Sequence, residues 1–167
     1  MQVIKNNIVV EDGWQRIEEA DIEKGLPDGD IIVPFGYWQS HRNELLERKG
    51  RLGVCVNGDD DTAELTADLE HFDIIAVDFP TFRDGRGYSH ARILREHYGY
   101  AGDIRAVGDV LRDQLFFMQR CGISSFCLRE DRDIEDAIKG LSGFSVKYQT
   151  AADGILPVYK QRSNTAN

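Results

Sequence analysis

Short apolar runs recur along the chain at Ile31–Val33, Leu52–Val56, Asp73–Val77, Ile104–Val107 and Ser125–Leu128. They are rich in Val and Ile and do not alternate with polar residues, as strands buried on both faces of a parallel sheet do. Between them the spacing predicts helices over about 37–48, 62–70, 88–98, 110–121 and 132–142. Gly50, Gly99, Gly122 and Gly143 stand at or just past the helix ends, and Asp61 or Thr62, Asp109 and Asp131 are plausible N-caps. Upstream, Val3–Ile4 and Ile8–Val10 flank Asn6-Asn7, a strand pair with an Asn turn.

Strand–helix alternation of this kind implies βαβ units with right-handed crossovers. The expected fold is therefore α/β, with a mostly parallel sheet of five or six strands, either open or a partial barrel. One domain over 1–167 is expected. Its parts are the strand pair with an acidic connector (1–30) and the βα core (31–150). The helix Val110–Cys121 carries Leu111, Leu115, Phe116, Phe117 and Met118 around most of its circumference, so it needs cover on more than one side. Terminal segments or a homodimer contact would supply that cover. The segment Ile155–Val158 would add an edge strand or wrap a neighbour.

Charge changes the picture. Residues 1–80 hold 7 basic and 18 acidic side chains, whereas residues 81–167 hold 13 and 11. From Arg83 to Arg132 there are nine arginines and no lysine. Arg grips carboxylate or sulfur and phosphorus oxyanions with a planar fork that Lys lacks. A pI near 4.9 excludes bulk nucleic-acid binding. No apolar run reaches the roughly 20 residues of a membrane helix. Three cysteines without an export-type start point to the cytoplasm.

Ligands of parallel sheets bind beyond the carboxyl ends of the strands, where loops and helix starts converge. On that rim the chain places Pro34-Phe35-Gly36, then 57–61, the long loop 78–88, then 108–114 and 129–131. The ligand-binding candidates are Arg83, Asp84, Gly85, Arg86, Gly87, Tyr88, Arg112, Gln114 and Arg129. Gly85 and Gly87 free the backbone to aim N–H groups at an anion, and the arginines reinforce this. The expected ligand is a small anion. Asp78, Asp109 and Asp113 are the acid–base candidates, with helix capping or neutralisation of the arginines as the competing role.

Metal and cofactor patterns are missing. His90 and His97 lie seven apart, about 10 Å along a helix axis. The Asp59-Asp60-Asp61 run lacks EF-hand spacing. After Gly85 and Gly87 the third position of a dinucleotide fingerprint is His90, and there is no Gly-Lys-Ser/Thr. Cys55, Cys121 and Cys127 fall in predicted core elements without Cys-x-x-Cys spacing. Neither a metal nor a cofactor is expected.

The strings DGRGYS, YGY-x-G, R-A-V-G-D-V-L-R-D-Q and F-F-M-x-R-C-G within residues 77–131 resemble a bacterial family of unknown function, DUF934. Its members are often described as probable oxidoreductases involved in sulfite reduction. The resemblance implies an accessory protein of assimilatory sulfate or sulfite reduction, with sulfite reductase subunits as partners. Joined to the residues, it predicts binding of a small oxyanion, or of the reductase itself, through the Arg-rich rim. The alternative is a small cofactor-free enzyme acting on an anionic metabolite.

Overall fold

The computed structural model describes residues 1–81 and 83–142. Gly143, the end of the expected core at 150 and the segment Ile155–Val158 lie outside the described residues. The fold is α/β, and its strands form one eight-stranded sheet rather than five or six. In chain order the strands are β1 (Gln2–Lys5), β2 (Ile8–Glu11), β3 (Gln15–Arg16), β4 (Ile31–Pro34), β5 (Leu52–Val56), β6 (Ile74–Phe79), β7 (Asp103–Gly108) and β8 (Ser125–Phe126). The α-helices are α1 (Phe35–Glu47), α2 (Arg86–Arg92), α3 (Arg112–Arg120) and α4 (Ile134–Ala137). The spatial order is β2-β1-β8-β7-β6-β5-β4-β3. Strands β3 to β8 are parallel neighbours in sequence order, and the hairpin β1–β2 adds antiparallel beside β8.

The hairpin turns on Asn6 and Asn7, both at positive φ (53° and 62°), as a two-residue turn matched to strand twist requires. The expected helix over 62–70 is instead two 3₁₀ turns, Thr62–Leu65 and Leu69–His71. Asp61 caps the first of these by accepting from the Ala63 N–H at 2.9 Å. The strand expected over 125–128 is ladder-paired only at Ser125 and Phe126. A single π turn, Ile93–His97, extends α2.

The sheet has to curl. Strands β2 and β3 occupy its opposite edges, yet only Asp12, Gly13 and Trp14 separate them in sequence. Glu11 to Gln15 can span at most about 14 Å. Seven spacings of about 4.8 Å would hold the edges of a flat sheet about 34 Å apart. The result is a half-barrel whose edges are joined across the hollow by residues 12–14.

Side chains on the two faces have different fates. The outer face (Ile31, Val33, Val54, Val56, Ile75, Val77, Ile104, Phe126) packs against Trp38, Leu45, Leu94, Leu115 and Met118 of the helical segments. The inner face has a smaller apolar group, Ile32, Ile74, Ala76 and Val107, covered by Trp14. Trp14 is in turn overlaid by the Arg51 guanidinium at 4.9 Å. Beside it, Arg105 is 2% exposed and holds Asp12 in two-point contact, at 2.7 and 3.0 Å. Its Nε donates to Ser125 Oγ, which donates to Asp103. Lys5 reaches Asp103 from β1 at 3.2 Å.

Removing one partner of a buried ion pair leaves the other charge under-compensated, here with only Asp103 at 3.6 Å from Arg105, at up to about 3–5 kcal/mol. Asp12→Ala is expected to lower stability by that amount in urea unfolding, and the double variant Asp12→Leu/Arg105→Met by clearly less. A loss below about 1 kcal/mol for Asp12→Ala, the range of an exposed pair, would show that the segment is not anchored there.

Candidate functional site

The loops after the parallel strands form one rim. The long loop 78–88 sits on it as expected, but the anion at the start of α2 is its own Asp84. That carboxylate accepts from the Arg86 backbone N–H (3.1 Å), from Arg86 Nε (3.0 Å) and from Nη2 (2.8 Å). Arg86 Nη1 donates to Asp59 Oδ1 at 2.6 Å. The fork holds the Asp84 carboxyl down near a pKa of about 2.

Arg129 is filled in the same way, whereas Arg112 meets its carboxylate through a single nitrogen. Arg112 Nη1 contacts both oxygens of Asp136, at 2.9 and 3.0 Å. Arg129 grips Asp131 through Nε (3.0 Å) and Nη2 (2.6 Å) and reaches Asp109 at 3.3 Å. Arg83 is exposed on the long loop. The forks of Arg86, Arg112 and Arg129 thus each already hold a carboxylate, and each holds a different one.

The remaining predicted residues divide between packing and surface. Gly85 precedes α2 and is exposed. Gly87 is buried, and a Cβ there would lie 2.7 Å from the Phe79 ring. Tyr88 packs edge-on to Phe79 (5.2 Å between centroids) and against Phe117 (5.1 Å), which is 58% exposed. The described residues therefore leave part of the apolar girdle of α3 open. Gln114 closes the start of α3 by accepting from the Leu111 N–H at 3.4 Å, and Asp113 is exposed in its first turn.

A cleft of about 440 Å³ opens on the rim over β3 to β6. Asp78 comes to it from the inner face of β6, and Cys55 from β5. Asn57 and Asp60 come from the loop that follows β5. Pro34, Phe35 and Gly36 bring the start of α1, and Arg16, Glu18 and Glu19 line the side of β3. Arg16 Nη2 lies 3.1 Å from Glu18, while Nη1 stands 4.0 Å from Asp78, beyond hydrogen-bond reach. The Asp78 side chain is 24% exposed. Burial raises its pKa above the ordinary carboxylate value, with Arg16 opposing the shift. Asp60 is raised too, again mainly by burial, although it accepts from the Asn57 N–H at 2.7 Å. Burial pushes the Cys55 thiol up to about 12.

Of the acid–base candidates only Asp78 lines this cleft. Arg16, Glu18 and Glu19 were missed because β3 is a two-residue strand inside the acidic connector and leaves no periodic trace. Among the described residues no cluster of three His, Cys, Asp or Glu could hold a metal ion, and no helix is long and apolar enough to cross a membrane.

A carboxyl whose pKa is raised by folding favours the native state below its unfolded pKa and loses that contribution as pH rises through the folded value. Asp78→Asn is therefore expected to raise the melting temperature at pH 7, with the gain vanishing below about pH 4. A loss of stability at pH 7 would mean that Arg16 holds the charged form firmly. For Cys55, a thiol near 12 is ionised to about one part in ten thousand at pH 8. Alkylation of the native protein by iodoacetamide should therefore run at least about 100-fold slower at Cys55 than in urea. Comparable rates would overturn the burial argument.

No curated protein matches this sequence. A family model does match, over residues 53–159, and it is described as a bacterial protein of unknown function. The span begins at β5, so Arg16 and the start of α1 lie ahead of it, while the loops bearing Arg86, Arg112 and Arg129 lie within it. It covers most of the chain, and on that ground the protein belongs to the DUF934 family.

Proposed function

We propose that the protein is an accessory component of sulfite or sulfate assimilation that docks on a protein partner, the sulfite reductase being the first to try, through the rim formed by the starts of α2 and α3. The assimilation context rests on what is said of the family. The mode of action rests on one observation. The forks of Arg86 and Arg112 are occupied by carboxylates, and on the same two helices Phe117 stands 58% exposed against Tyr88.

That combination favours a protein over a small oxyanion. A free anion would have to displace an aspartate tethered two residues from Arg86, at high local concentration. Interface cores, by contrast, are enriched in Tyr, Phe and Arg, and paired surface charges set register and discriminate between partners. Tyr88 rests on the buried Phe79 ring, so the aromatic pair is presented rigidly and loses little freedom on binding.

The test is a pull-down and a biosensor titration against the purified reductase. A complex at micromolar concentration is expected, weakened about tenfold or more by Phe117→Ser and by Arg86→Glu, as for a central anchor and a charge reversal. Absence of a complex at micromolar concentration, or binding indifferent to both substitutions, would remove this function. A thermal shift with sulfite or sulfate that Arg86→Ala abolishes would return the rim to small-anion binding.

A further inference from the structure

A hollow of about 230 Å³ opens beside the start of α3, where the loops after β7 and β8 meet α4. It is smaller than the roughly 300–1,000 Å³ of small-molecule sites and is of side-chain size. Val110, Leu111 and Leu128 give it apolar walls, and Arg112, Arg132 and Asp136 stand among them. The polar groups around it are unevenly engaged. Each carboxylate already has its donors. Asp131 is gripped by Arg129 through two nitrogens, and Asp133 accepts from the N–H groups of Glu135 and Asp136. Asp136 is held by Arg112 and, at 3.7 Å, by Lys139.

The guanidinium groups, by contrast, have donors left over. Arg112 engages Asp136 through Nη1, which leaves Nε and Nη2 without a partner among the described residues. Arg132 is exposed and, among the described residues, its side chain makes no hydrogen bond or ion pair. Its charge acts only through space, adding to the hydrogen bonds of Arg129 that hold the Asp131 carboxyl below the ordinary carboxylate value. The excess at this hollow is therefore of planar donor forks, the shape that matches a carboxylate. An incoming cation would find every carboxylate already claimed. A free small anion would have to enter past three aspartates with nothing else to hold it. A carboxylate carried by a docked protein arrives at high effective concentration, because Phe117 and Tyr88 have already been engaged.

We propose that this hollow is the socket for an acidic side chain, Asp or Glu, of the protein partner, its carboxylate held between Arg112 and Arg132. The inference rests on the docking function above and gives the partner its chemistry: an apolar contact for Phe117 and, beside it, a carboxylate. Arg112 and Phe117 lie five residues apart on α3, about 7.5 Å along its axis. An interface of about 800 Å² per partner is wide enough to reach both. The contact with Asp136 holds the Arg112 side chain in place, so it loses little freedom when the second carboxylate enters.

The experiment is a double-mutant cycle on the complex with the purified reductase. Arg132→Ala removes no side-chain contact among the described residues, so its melting temperature should match the parent's. It is expected to weaken binding about tenfold, as when a charge-assisted contact is lost. Arg112→Lys keeps a cation for Asp136 but loses the fork, and a similar weakening is expected. Surface Asp and Glu residues of the reductase are then replaced singly by Asn and Gln. At least one of these changes should weaken binding of the parent chain about tenfold and that of Arg132→Ala by less than about twofold, the signature of a direct pair. Two results would overturn the socket and leave the docking function standing. One is a complex that depends on Phe117 but is indifferent to Arg132→Ala. The other is a set of reductase substitutions whose losses all simply add to that of Arg132→Ala. Absence of any complex at micromolar concentration removes the docking function and the socket with it.

Discussion

The architecture depends on the contact between Arg105 in the middle strand β7 and Asp12 in the segment that joins the two edges of the sheet. A run of parallel strands laid down in sequence order has no intrinsic reason to stop curling at a given radius. The three residues from Asp12 to Trp14 set that radius by their reach, and the buried fork fixes where they cross. Once the crossing is fixed, Trp14 covers the apolar part of the inner face and Arg105 organises the polar part. A lone charge here would be costly, so the pair specifies the closure more than it adds net stability.

Sequential strand order also decides where function can reside. Right-handed crossovers between in-order parallel strands put every helix on one face, so there is no reversal of strand order to create a crevice. The carboxyl-end rim remains, and the closing segment divides it. After crossing the hollow it continues as β3 and carries Arg16, Glu18 and Glu19 into the wall of the cleft. The anchor at Asp12 thus bears on the position of Arg16, four residues on. The loops after β6 and β7 are held by Arg–Asp contacts, from Arg86 to Asp84 and to Asp59 in the loop after β5, and from Arg112 to Asp136 of α4. One rim therefore offers a concave acidic cleft on one side and a charge-paired surface on the other, with a smaller hollow of about 230 Å³ between Arg112, Leu128 and Asp136.

Much of this was legible in the sequence because burial on both faces leaves apolar runs without alternation. Strands β4 to β7, the Asn6-Asn7 turn and the rim loops were located on that basis. Features set by contacts remote in sequence were not. A two-residue strand such as β3 has no period to detect, and its pairing with β4 was invisible until Ile31 and Ile32 were placed beside it. The stretch 62–70 had helical apolar spacing but folds as two short turns. The sequence likewise showed nine arginines without showing that Asp59, Asp136 and Asp131 stand in front of three of them. Charge composition counts donors and acceptors, but only the fold says which of them have met.

The family strings can be separated into what the fold consumes and what it leaves over. In YGY-x-G, Tyr100 donates to the Phe72 carbonyl and Gly102 leaves room for the Tyr100 hydroxyl. Arg95 spends its guanidinium on the carbonyls of Tyr100, Gly102 and Gly122. In R-A-V-G-D-V-L-R-D-Q, Arg105 anchors the closure, and Gly108 takes φ +92° where a Cβ would sit 2.5 Å from the Phe79 carbonyl oxygen. Even in DGRGYS, Gly87 is a packing residue. After this subtraction Asp113, Phe117 and the outer edge of Tyr88 remain, while Arg112 ties α3 to α4 through Asp136. Among the described residues Phe117 stays 58% exposed against Tyr88, and this surplus, more than the arginine count, points outward from α3.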